Sequence, residues 1–129
     1  MINNVTLIPL TRAGVPSGNY DGSSQEWYSD PVKAANYYKG HGWIQTVWYN
    51  VTDFQGEIVI QATLDMTPGA VTDPDFATSS SWFTVDTFGD LSSQITDYRP
   101  VTIPGNFTWL RAKIIGFDAG TINRVHVTY

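Results

Sequence analysis

"NFTWLRAKIIGFDAGTINRVHVTY", residues 106–129, decides the fold. Over 107–117, Leu110, Ala112 and Ile114 alternate with Arg111 and Lys113, the period-two pattern of a strand with an apolar inner face and a basic outer one. Asp118-Ala119-Gly120 reads as a turn, and "TINRVHVTY" (121–129) then pairs back antiparallel. Removing this last run would strip the inward row of its partner and open a sheet edge. The C-terminal run is therefore a core strand.

The same period recurs upstream. "VTLIPL" (5–10), "VKAANYY" (32–38), "WIQTVWYN" (43–50), "EIVIQATL" (57–64), "WFTVDTF" (82–88) and "VTI" (101–103) all read as strands. "DFQG" (53–56) reads as a tight hairpin connection, with Gly56 free to take positive φ. Residues 11–25 and 65–81 are loops rich in Gly, Ser and Pro, and "GDLSSQITDYRP" is irregular. With about eight strands of ordinary length, the expected fold is all-β. It is a single-domain, two-sheet antiparallel β-sandwich, jelly-roll-like, over residues 1–129, with 1–30 a candidate N-terminal arm.

Composition agrees. Aromatics make up 14% of the chain, while only two glutamates occur, so Glu–Lys helical faces cannot be built. The absence of cysteine excludes disulfides and thiolate metal sites. The opening "MINNVTLIPL" lacks the basic start of a signal peptide, and no apolar run suffices for a membrane span. Charge is uneven: residues 53–98 carry eight acids and no Lys or Arg, whereas 99–129 carry four bases and Asp118 alone. Net −5 without a basic footprint argues against nucleic acid. Acidic and basic strands can pair within sheets, or steer identical subunits together. Arg111, Lys113 and Arg124 against Asp73 and Asp75 are the charge-complementary candidates.

No residue set reads as catalytic. His41, in Gly-His-Gly, and His126 lie far apart in sequence and beside no nucleophile elbow. Asp86 and Glu57 are the least unreasonable glycosidase pair, but nothing selects them over the other acids. Asp65, Asp73 and Asp75 lack the spacing of a calcium loop, so no metal or cofactor is expected. The aromatic cluster carries more. Trp27, Tyr28, Tyr37, Tyr38, Trp43, Trp48 and Tyr49 fall within 27–49. On "WIQTVWYN", Trp43 and Tyr49 share one face and Trp48 takes the other. They cannot all fill one core, so some cover a loop, meet a partner or stack on sugar rings.

In "GWIQTVWYN", "GEIVIQATLDMTP", "WFTVDTF" and "GNFTWLRAKIIGFDAGTINRVHVTY", residues 42–129 resemble small β-sandwich virion proteins of tailed bacteriophages, cyanophage-like ones among them. The shared motifs are Gly105–Ala112 and Gly120–Tyr129. Residues 1–41 lie outside the resemblance. It implies a non-enzymatic structural protein of the virion, a capsid decoration or cement protein assembled in the host cytoplasm. Its expected partners are identical subunits, as a homotrimer, and the major capsid or other virion proteins. The alternative is a tail, fibre or baseplate protein whose sandwich binds a host surface glycan through the 27–49 aromatics. Neither reading requires a cofactor, nucleic acid or a membrane.

Overall fold

The computed structural model describes residues 3–37, 43–73, 76 and 81–129. Among these there is no helix, and hence none long and apolar enough to cross a membrane. The strands are β1 (Asn4–Ile8), β2 (Thr11–Arg12), β3 (Trp27–Tyr28), β4 (Val32–Lys33), β5 (Ile44–Thr63), β6 (Phe83–Pro104) and β7 (Trp109–Thr128). They form one antiparallel sheet in the order β1-β7-β5-β6, with β2, β3 and β4 also pairing along β7. The pairing is thus that of a single sheet where two were expected.

The difference comes from three long strands that run through positions read as turns. β5 passes through "DFQG" and pairs with β7 from Thr46↔Thr128 to Thr63↔Trp109. Gly56 does have positive φ (147°), as does Asp53 (50°), but they bend the strand instead of reversing it. β7 likewise runs through Asp118-Ala119-Gly120, and β6 includes the stretch read as irregular. Register shifts cluster at these mid-strand points, between Thr52 and Glu57 of β5 against β7 and between Val51 and Gly56 against β6.

The extra residues change the inward parity. Buried positions on β5 are Val47, Tyr49 and Val51 before the bend and Ile58, Ile60 and Ala62 after it. On β7 the core positions are Leu110, Ala112 and Ile114, then Phe117, Ile122, Val125 and Val127. A strict period of two would have turned one half of each strand to solvent; the bulges keep both halves on one core. The halves also meet. Tyr49, in the first half of β5, stacks on Phe88 with centroids 4.3 Å apart, and its hydroxyl donates to Asp86 Oδ2 at 2.6 Å. Phe88 and Asp86 are the ladder partners of Ile58 and Ile60, in the second half.

The C-terminal run is central, as its pattern required. It lies between β1 and the first half of β5, with Ile122, Val125 and Val127 fully buried. Its partners are those strands, however, not 107–117.

Candidate functional site

Tyr38 and Asp75 lie outside the described residues, as does His41. The remaining candidates separate into core, loop cover and surface. Trp27 belongs to the core: it is 7% exposed and packs on Tyr20 (5.4 Å) and Phe117 (6.5 Å). Tyr49 is wholly buried, and burial together with its bond to Asp86 pushes its phenol pKa far up, so it stays a donor. Neither can meet a partner. Their strands are inward-facing at these positions, which the expected interface had not allowed for.

Arg111 corrects the outward basic row. It is 1% exposed and lies on the sheet face opposite Leu110 and Ala112, covered by residues that follow β5. Its guanidinium carbon sits 4.4 Å from the Phe76 and Trp82 ring centroids and 4.9 Å from that of Tyr28. Nε donates to Gln61 Oε1 at 2.7 Å, and a terminal nitrogen to the Phe76 carbonyl at 2.6 Å. Burial lowers its pKa, yet arginine holds its proton. The group is therefore a clamp: aromatic faces and neutral acceptors hold a buried cation, and the cation ties Phe76 and Trp82 to β7. Phe76 and Trp82 also pack on each other, with ring centroids 6.4 Å apart.

The other charged candidates are tied locally. Lys113 bonds Glu26 at 3.2 Å. Burial works against its charge, but the Glu26 carboxylate and Tyr28 prevail and raise its pKa. Arg124 donates to Thr6 Oγ1 and Asn4 Oδ1 across β1. Asp73 Oδ2 accepts from the Ala70 amide, a turn within its own loop. Tyr37 meets Trp109 edge-on at 5.2 Å and lies under Lys33.

Trp48 stands on the outer face with a ring neighbour on each adjoining strand. His126 of β7 stacks on it at 5.8 Å with a 4° interplanar angle, and Tyr98 of β6 lies 5.7 Å away. Trp48 Nε1 donates to Thr128 Oγ1. The three rings form a row across β7, β5 and β6 that ends at Tyr98, 60% exposed. Tyr98 and His126 were absent from the aromatic candidates because Tyr98 lies in the stretch read as irregular. The alternation that would have flagged it is broken by the bulge before Ile95.

Apolar side chains are exposed at one end of the molecule. Trp43 and Ile44 precede and begin β5, Leu64 and Met66 follow it, and Phe83 begins β6. The ends are joined by Phe83 against Phe107 (5.6 Å), by Gly105 N donating to Trp43 O, and by Trp109 Nε1 donating to Met66 O. Two open clefts lie among the described residues. One of about 250 Å³ is lined by Asp65, Asp73, Phe76 and Trp82, and one of about 290 Å³ by Thr6, Asn19, Trp27 and Asp30. Among the described residues, no three His, Asp or Glu gather as metal ligands would. Comparison with protein-family models, with curated proteins and with solved structures finds no match.

Proposed function

We propose that this chain is a non-enzymatic structural protein of a bacteriophage virion, a capsid decoration or cement protein that works as a homo-oligomer bound to the major capsid protein. The observation that carries this reading is the apolar end: Trp43, Leu64 and Met66 are each at least 60% exposed, beside the half-exposed Ile44 and Phe83. Large apolar groups gathered on a surface favour burial against protein. The resemblance of 42–129 to phage virion proteins supplies the setting, with assembly in the host cytoplasm. In this reading the bent sheet, folded half against half through Tyr49, Phe88 and Asp86, serves as the jelly-roll-like sandwich of such proteins.

The test is a Leu64→Asp/Met66→Asp double variant. Both side chains are exposed, so its melting temperature should match that of the parent while self-association weakens. A parent that is strictly monomeric, or a variant that associates as well as the parent, would contradict the reading.

A second reading, a tail, fibre or baseplate protein that binds host glycan, is favoured by the rings of Trp43 and Tyr98, each 60% exposed. Trp27 and Tyr49 are buried and Trp48 already has His126 and Tyr98 beside it, which leaves a smaller stacking surface than the sequence suggests. Host polysaccharide should then change the tryptophan fluorescence, and a Trp43→Ala variant should abolish the change.

A further inference from the structure

We propose that one edge of the sheet, strand β6, pairs antiparallel with β6 of a second copy of this chain about a two-fold axis at Tyr98. The inference rests on the assembly reading and names one of its contacts. Three observations carry it.

The first is the backbone. β6 ends the strand order and, among the described residues, pairs with β5 alone. Gly105 N donates to Trp43 O, which continues the β5–β6 register, so odd-numbered residues here direct their backbone groups to β5. By alternation Tyr98, Pro100 and Thr102 direct theirs away from the sheet. Pro100 and Pro104 fall on that outward set and withhold an N–H each, which confines pairing to a short run around Tyr98.

The second is charge. Asp97 and Arg99 flank Tyr98 on one face and bond each other at 2.7 Å in the single chain. In antiparallel pairing centred on Tyr98, Asp97 lies opposite Arg99 of the second copy, and Arg99 opposite its Asp97. Both cross-strand pairs are then attractive. The other end of the same edge carries Asp86 and Asp90 with no base between Phe83 and Asp90, so self-pairing there would repel. The Asp-Tyr-Arg triplet thus favours a second copy over an unrelated strand, and this register over a slipped one.

The third is the ring row. His126, Trp48 and Tyr98 run across three strands and stop at an exposed ring. The two-fold would place Tyr98 against Tyr98 and continue the row into the second sheet. The contact is isologous, so it yields a dimer where the resemblance implies a trimer.

The chain has no cysteine, so a Tyr98→Cys variant carries a single thiol. Directly opposed residues in a hydrogen-bonded antiparallel pair have Cα atoms about 5.5 Å apart, within disulfide range. Mild oxidation should convert Tyr98→Cys to a covalent dimer and leave Thr87→Cys, on the same edge, as monomer. Independently, Asp97→Arg should weaken dimerisation roughly tenfold by opposing like charges, and Asp97→Arg/Arg99→Asp should restore it. A native oligomer indifferent to these charge changes, with Tyr98→Cys no more cross-linked than Thr87→Cys, would overturn the edge pairing and leave assembly through the apolar end standing. A parent that is monomeric at every concentration would overturn both.

Discussion

Arg111 shows at the scale of one residue what alternation can and cannot decide. Its position opposite Leu110 and Ala112 was readable, but that face was taken for solvent. The cover comes from Phe76 and Trp82, and no local pattern announces where a loop lands. Arg111→Ala would remove the cation from its cage and leave Gln61 Oε1 and the Phe76 carbonyl without their donor. It should cost about 3 kcal/mol in urea unfolding. A loss below about 1 kcal/mol would mean that the loop is held without it. His126 offers a second residue-scale prediction. Burial, then the nearby Arg124, depresses its pKa, and its Nδ1 is buried with no hydrogen-bond partner among the described residues. The unfolded chain therefore takes up a proton first as pH falls. This stability is complete above the unfolded pKa, about 6.5, and is lost as pH drops through the window below it. The melting temperature should fall between pH 7 and pH 5, and His126→Gln should flatten that dependence.

Strand identity was legible along most of the chain, and strand continuity was not. Leu110, Ala112 and Ile114 were correctly placed on an inner face. Trp27 was not, because two residues of β3 are too short to show a period. The reading failed at "DFQG" and "DAG", where Gly and Asp mark a reversal and a bulge equally well. What separates the two is the long-range pairing of β5 with β7, which the local sequence does not contain. Gly120 makes the distinction testable. Its φ is +87°, and a Cβ there would lie 2.0 Å from the Asp53 carbonyl oxygen in the neighbouring strand. Gly120→Ala should therefore cost about 3 kcal/mol, combining backbone strain with a clash against backbone. A hairpin tip facing solvent would lose far less. Deleting residues 121–129 should leave the chain insoluble or unfolded, since that segment fills the sheet between β1 and the first half of β5. A soluble truncation with an unchanged circular dichroism spectrum would remove it from the core.

For the molecule as a whole, bending three long strands lets one sheet enclose its own core while leaving an apolar end and, along β6, an edge for further pairing. The seven aromatic candidates of 27–49 were chosen as a cluster in sequence. In space the six that are described divide among the core (Trp27, Tyr49), the arginine cage (Tyr28), a contact with Trp109 (Tyr37), the outer ring row (Trp48) and the surface (Trp43). Function, in this account, lies in what the surface presents to other subunits. The most direct measurement is light scattering on the eluting peak of the intact chain, loaded over a wide concentration range. The account predicts a mass above the 14.3 kDa of one chain that rises with concentration toward a defined oligomer. A constant 14.3 kDa at every concentration would contradict it.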